Sequence, residues 1–322
     1  MDFLIRVKKN LQKTVIGKKI IYIYHLFLGI PIYYVYKLKY YLIKNKIKKP
    51  KFDDTQNVFF ELTMNKMSIS RFGDGEISWI FGNSKGSFNQ QNSKELSKRL
   101  YEVINNKNPN ILIAIPNFFE EKVPYFSKKR VQSRNAHLAK EYKKWNSLID
   151  YDRVYADALI TRTYLGLENF DSELAFTNWK KVWNNKKVVI VEGNQTRFGV
   201  GNDLLANTSS VSRIIAPNEN AFELYNEILE SALSNADKDS IFLICLGPTA
   251  SILSYDLSCK GYQAIDIGHL DVEYEWYLRK ATKKIPIPGK YVNEAGGSSF
   301  YELDKPSECK YKREIIDVVL IK

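Results

Sequence analysis

Short apolar runs recur at regular intervals along the second half of the chain, at 188–191, 212–216, 241–246 and 262–267. Each has the length of a strand. Between and beyond them lie stretches with helical spacing, from 204 onward and at 220–233, 248–259 and 269–282. Buried strands alternating with helices predict an α/β fold, a mostly parallel sheet with helices on both faces. The first half follows the same grammar less evenly. It reads as a helix over 54–66, a strand over 67–72 and a helix from about Ile77. A helix over 95–104, a strand at Ile111–Ile115, a basic helix over 131–147 containing His137 and an apolar run at 154–160 follow. In such sheets ligands bind beyond the carboxyl ends of the strands, so the loops after 191, 246 and 267 are expected on one rim, joined by the turn at Asp74.

Charge changes the picture at the N-terminus. The net charge of +12 over 322 residues suggests a nucleic-acid binder until it is located. Residues 1–51 hold 13 Lys or Arg against Asp2 alone, which accounts for the whole excess and leaves the remainder neutral. No nucleic-acid partner is therefore expected. Residues 20–36 carry no formal charge and are rich in Tyr, with Gly29 and Pro31 interrupting them. Lysines flank both sides, and no small-residue cleavage site follows. The expectation is a membrane-associating segment lying on an anionic leaflet, with Lys37, Lys39, Lys44, Lys46, Lys48 and Lys49 near lipid phosphates. A helix packed on the folded domain and a spanning helix are the alternatives. The chain thus divides into 1–51, a domain over 52–295 and a C-terminal extension over 296–322. Cys245, Cys259 and Cys309 show no CxxC spacing, so neither a disulfide framework nor a zinc site is expected. Trp145, Trp179 and Trp183 read as packing residues.

The candidate chemistry gathers in four places. Arg71-Phe-Gly73-Asp74-Gly-Glu76 puts two carboxylates between glycines at a strand end, a donor set for a hard cation, with Arg71 placed to hold a phosphate. The alternative is an Asp N-cap with Glu in the first helical turn. Glu192-Gly193 to Asp203 is a Gly-rich loop that is neither a Walker A motif nor GxGxxG. Its free backbone N–H groups, around Gly193 and Gly199, and Arg197 are candidates to hold a diphosphate, with Asn202 and Asp203 closing the motif; the alternative is a plain connecting loop. Gly247-Pro248-Thr249 opens a helix and offers an anion site on the same logic. Gly268-His269-Leu-Asp271-Val-Glu273-Tyr-Glu275-Trp276 places His269 and Glu273 one helical turn apart, a pattern for a base with its orienting partner or for a structural face. Arg162 is a candidate ligand contact or a surface charge.

Taken together and in this order, the four motifs closely resemble the bacterial glycosyltransferases of GT-D fold, a group long catalogued as a domain of unknown function. The resemblance covers about residues 55–295 and does not extend to 1–51. It implies a Rossmann-like domain using a UDP-sugar, UDP-glucose among the candidate donors, to glycosylate a hydroxyl of a growing glycan of a surface polysaccharide or glycoprotein. It also implies a divalent metal, Mn²⁺ or Mg²⁺, held with the diphosphate by Asp74 and Glu76. Motif membership and the shared rim extend donor contacts to Arg71, Arg197, Asn202 and Thr249, and base candidacy to His269, Asp271 and Glu273. Nucleotide sugars are cytoplasmic, so the enzyme is expected on the inner face of the cell membrane, with a lipid-linked acceptor. A nucleotide-sugar phosphohydrolase and a non-catalytic, membrane-tethered nucleotide-sugar binder are the rival readings.

Overall fold

The apolar runs become the centre of a nine-stranded sheet in which every pairing between described residues is parallel. The computed structural model describes residues 30–84, 90–120, 122–295, 297–298 and 303–320. In chain order these form α1 (Ile30–Ile43), β1 (Lys51–Phe52), α2 (Thr55–Thr63), β2 (Ser68–Arg71), α3 (Asp74–Ile80), α4 (Lys94–Ile104), β3 (Ile111–Ile115), α5 (Lys128–Leu148) and β4 (Val154–Asp157). Next come α6 (Ser172–Val182), β5 (Lys187–Gly193), β6 (Ser210–Ala216), α7 (Tyr225–Asn235), β7 (Ile241–Cys245), α8 (Pro248–Cys259), β8 (Gln263–Asp266) and α9 (Leu270–Leu278). A small antiparallel pair, β9 (Tyr291–Val292) and β10 (Gly297–Ser298), precedes α10 (Lys305–Glu314) and β11 (Ile315–Val318).

The strand order is β1-β4-β3-β2-β8-β7-β5-β6-β11. From β2 the chain winds outward through β3 and β4. On the other side β7 and β8 bring it back to the centre, so β2 and β8 are neighbours where the winding changes direction. Successive strand residues point to opposite faces, and the core divides accordingly. Val188, Ile190, Leu243 and Ile265 pack with Val58 and Leu62 of α2 and Phe176, Trp179 and Val182 of α6. Val189, Val191, Phe242, Ile244 and Ala264 pack with Ile228 of α7 and Leu253 and Leu257 of α8. Trp145, Trp179 and Trp183 are fully buried, and the indole N–H groups of the latter two donate to the carbonyls of Ile160 and Leu204.

Three local expectations differ from the structure. The helix expected from Leu204 is a run of turns leading straight into β6. Leu204 and Leu205 are apolar because they anchor the loop in the core, not because they form a helical face. The helix after β2 starts at Asp74 instead of Ile77, since Gly73 serves as its N-cap. The last helix of the sheet stops at Leu278, short of 282.

The described residues group into two compact units, residues up to 49 with 118–149, and residues 50–117 with 150–322. In the first, α1 packs along α5. The Lys49 ammonium meets Glu120 at 2.8 Å. Residues 20–29 of the uncharged N-terminal run lie outside the described residues. Among the described ones no helix is long and apolar enough to cross a membrane.

One buried ion cluster ties the far side of the sheet together. Arg213 on β6, 2% exposed, donates to Glu192 at 2.6 Å, to the Phe198 carbonyl at 2.9 Å and to Glu314 at 2.7 Å. Removing one member strands two carboxylates in the interior. Arg213→Ala is expected to lower unfolding free energy by about 3–5 kcal/mol in urea denaturation. A loss below about 1 kcal/mol would mean that the cluster does not hold the strand edge.

Candidate functional site

Small hydroxyl residues set the geometry at the centre of the sheet. Ser70 on β2 bonds the Ser251 carbonyl and the Ser254 hydroxyl of α8, both at 2.7 Å, so the helix lies close against the strand. The next residue, Arg71, turns across to β8. Its Nε donates to the Asp266 carbonyl at 2.6 Å and its Nη2 to Asp266 Oδ1 at 2.9 Å. Nη1 donates to Thr161 Oγ1 at 2.7 Å and to the Ala158 carbonyl at 3.2 Å. Arg71, expected to hold a phosphate, thus clamps β2, β8 and the turn after β4. Gly268 makes this possible: at φ +53° it takes a left-handed conformation, and a Cβ there would stand 2.0 Å from Arg71 Nη2.

The acidic pair sits directly above this clamp. Gly73 is the N-cap of α3, and Glu76 closes the first turn by accepting the Gly73 N–H at 2.7 Å. Asp74 is therefore the first helical residue, not the N-cap of the alternative reading. It is exposed, whereas Glu76 is half-buried. Burial, against the backbone N–H bonds and with the nearby Asp266 and Asp74 charges adding to it, raises the Glu76 carboxyl to about 7. Among the described residues no three His, Cys, Asp or Glu side chains converge in a metal cage.

The Gly-rich loop after β5 is anchored from beneath. Glu192, fully buried, accepts the Phe198 N–H at 2.7 Å. Gly193 passes Asn218 so closely that a Cβ would meet its Oδ1 at 2.4 Å, and a Cβ on Gly199 would enter the Leu205 side chain. Arg197 donates through Nη1 to the Gly289 carbonyl at 2.8 Å and lies over the Tyr311 ring. Asn202 donates to Asp271 at 2.7 Å and to Glu275 at 2.8 Å. Asp203 receives Lys180 at 2.7 Å and the Tyr274 hydroxyl at 2.6 Å. Asn202 and Asp203 thus face partners in the fold, whereas the buried Nε of Arg197 has no hydrogen-bond partner among the described residues.

At the end of β7, Gly247 is the N-cap of α8, followed by Pro248 in its first turn. Thr249 is fully buried, and its Oγ1 has no hydrogen-bond partner among the described residues. A helix start with an unpaired hydroxyl is a natural seat for a phosphate oxygen.

The α9 motif divides by burial. His269 caps the helix and remains partly exposed, its Nδ1 3.1 Å from Arg162 Nη2. Burial and the Arg162 charge push its pKa down to about 3, so the ring is neutral at physiological pH. Glu273 accepts the Tyr164 and Leu165 N–H groups at 3.1 and 2.9 Å and lies 3.5 Å from Arg162. Asp271 receives Asn202 and, at 2.5 Å, Lys290. Asp271 and Glu273 are each 2% exposed. The turn of helix expected between His269 and Glu273 is present, closed by the Glu273 N–H donating to the His269 carbonyl at 3.0 Å, and Arg162 bridges the two side chains. Glu294 completes the group: burial alone would raise its carboxyl, but Arg162, His269 and Lys284 hold it down at about 2. Asp266, Lys290 and Glu294 were not singled out by sequence. Asp266 reads as one more position of a strand, and the other two lie outside any motif.

Comparison with known proteins places this geometry. Residues 69–295 match the family described as glycosyltransferase GT-D fold. A probable glycosyl transferase Gly of Streptococcus gordonii is 36% identical over 237 residues, 70% of this chain and 33% of its own length. Glycosyltransferase GlyD of Streptococcus pneumoniae serotype 4 is 32% identical over 244 residues, 75% of this chain and 29% of its own. The chain therefore spans about a third of the length of these curated relatives. A solved domain described as the highly conserved domain of unknown function 1792, with a distinct glycosyltransferase fold, superposes with a TM-score of 0.79 at 33% identity. The match covers 88% of this chain and all of that one. A second, described as a new glycosyltransferase (DUF1792) from Streptococcus sanguinis, gives 0.75 at 31%, over 84% of this chain and all of its own.

The Glu76 environment carries a pH signature. Between about 4.5 and about 7 the folded chain keeps a proton that the unfolded chain has released. This contribution to stability is complete below 4.5 and is lost as pH rises through 7, a change of up to about 3 kcal/mol. In chelator-treated protein, Glu76→Gln keeps the bond to Gly73 and is expected to remove that decline. An unchanged pH profile of unfolding would contradict the assignment.

Proposed function

Since this chain belongs to the glycosyltransferase family of GT-D fold, we propose that it moves a sugar from a UDP-sugar to a hydroxyl of a growing glycan. The observation that carries this reading is topological. Asp74 and Glu76 stand at the carboxyl end of β2, beside β8, where the winding of the sheet reverses and α/β proteins bind their ligands. The donor diphosphate then lies between the α3 turn and the start of α8, where the Thr249 hydroxyl lacks a partner.

The residues present fit a divalent cation. Mn²⁺ and Mg²⁺ favour carboxylate oxygens and complete their shell from phosphates and water, so two carboxylates suffice. The like charges of Asp74 and Asp266, which help to raise the Glu76 pKa, are what a cation would relieve. When bound, it would offset the charge that develops on departing UDP.

The chain's own groups do the rest. The acceptor oxygen attacks the anomeric carbon as the bond to the diphosphate breaks, and the electron pair leaves with UDP. The hydroxyl proton passes to a base; His269 is the partly exposed member of the α9 motif, though with its pKa held at about 3 it is a weak base at neutral pH. Asp271 and Glu273 act as positioning residues in this reading, the first fixing Asn202 and Lys290, the second the backbone at 164–165. Arg71 positions the α3 turn, and Arg197 fixes the Gly289 loop. The setting in this reading is surface-polysaccharide or glycoprotein glycan synthesis at the cytoplasmic side of a membrane, where a basic, aromatic N-terminus suits a lipid-linked acceptor.

Isothermal titration with UDP and Mn²⁺ tests the donor site. EDTA, Asp74→Ala and Glu76→Ala are each expected to weaken binding by at least about tenfold, or about 1.4 kcal/mol. Affinity that is indifferent to chelator and to both substitutions would refute the metal-assisted site. Thr249→Val removes a hydroxyl that has no partner among the described residues. It should leave stability unchanged or slightly higher while reducing UDP affinity, and a loss of stability with UDP affinity intact would assign Thr249 to the core alone.

A further inference from the structure

Charge counted by structural unit differs from charge counted along the chain. Residues 1–49 and 118–149 hold 20 Lys or Arg and 4 Asp or Glu, whereas 50–117 and 150–322 hold 28 and 32. The excess positive charge lies wholly in the first unit, because the basic α5 belongs with α1. Within that unit α1 has two unlike faces. Tyr33, Tyr36, Tyr40 and Ile43, spaced by three or four, are half-buried, and α1 packs along α5. Tyr34, Val35, Leu38, Tyr41 and Leu42 fall on the opposite side, within about a third of the circumference. Each is 59–68% exposed.

Five large apolar side chains on one face of a 14-residue helix form a patch of the kind that marks an interaction surface. Its margins are basic. Lys37 and Lys44 stand over the rings of Tyr34 and Tyr41 at 5.9 and 5.2 Å, and Lys39 follows Leu38 toward the other edge. No acidic residue occurs between Asp2 and Asp53. A nucleic acid would engage the lysines but leave Val35, Leu38 and Leu42 without a partner. A second copy would bring two strongly cationic units together. An anionic bilayer answers both features at once: aliphatic groups enter the acyl boundary, tyrosines sit at headgroup level, and lysine stems extend to phosphates.

We propose that the Tyr34–Val35–Leu38–Tyr41–Leu42 face of α1 seats the protein on an anionic lipid surface. The donor site is measured in solution without lipid, so either proposal can fail while the other stands. The test is co-flotation of the full chain with vesicles of phosphatidylcholine alone or mixed with phosphatidylglycerol. Binding is expected only to the mixed vesicles, and it should weaken toward about 1 M salt, where the Debye length falls to about 3 Å. Leu38→Glu/Leu42→Glu should lower the partition coefficient by at least about tenfold. Both positions are exposed, so the helical circular dichroism and melting temperature should not change. Equal binding by variant and parent would place the lipid contact in residues 1–29 and overturn the proposal. So would absence of vesicle binding, whether accompanied by oligonucleotide binding or by a dimer that the variant dissolves.

Discussion

The guanidinium of Arg71 and the end of β8 form the contact on which the candidate site depends. Backbone ladders alone leave β2 and β8 joined at a single register pair, Ile69 with Ile265. The Ser68 hydroxyl joins the strands at their start by accepting the Ala264 N–H. At their carboxyl ends Arg71 bonds both the carbonyl and the carboxylate of Asp266, with Ser251 within 2.8 Å of the Arg71 carbonyl and 3.1 Å of Asp266. Such charge-assisted, geometrically specific bonds fix orientation better than apolar packing does. They set the direction in which the chain leaves β2, and with it the place of Asp74 and Glu76. The buried Asp266 charge then reaches back to Glu76 and raises its pKa. One contact therefore shapes both the position and the charge of the acidic pair.

The rim around that pair is built from residues that face inward more than outward. Asn202, Asp271, Glu275 and Lys290 bond one another, joining the loop after β5 to α9. Arg162 joins His269, Glu273 and Glu294 in the same manner. A rim of interlocked ion pairs is rigid before any ligand arrives, which suits a site that must hold a charged diphosphate without reorganising. Among the described residues, such a rim leaves the Asp74 carboxylate exposed and the Thr249 hydroxyl and Arg197 Nε without a hydrogen-bond partner.

Much of this was legible in the sequence, and the physical reason is periodicity. Strands buried on both faces must be apolar throughout, so 188–191 and 241–246 announced themselves, and Ile111–Ile115 was read to the residue. The motifs signalled the rim because glycine is demanded where chains pass closely, as Gly268 is by Arg71. Side-chain direction was not legible. Nothing in the spacing distinguishes an arginine that binds a phosphate from one that clamps two strands, and Asp266 looks like any strand residue until its partner is seen. The apolar pair Leu204–Leu205 imitated a helix because anchoring a loop and lining a helical face call for the same residue types. The joining of α5 to α1 is invisible in the sequence for another reason: it is a contact across nearly a hundred residues, which no local spacing encodes.

The central claim is that a cation and a diphosphate meet at the β2–β8 crevice. Anomalous scattering from Mn²⁺ in crystals grown with UDP tests it most directly. The account predicts a metal peak about 2.2 Å from carboxylate oxygens of Asp74 and Glu76, with phosphate density running toward the first turn of α8. A metal or diphosphate bound elsewhere on the chain, with the Asp74 turn left to solvent, would contradict it.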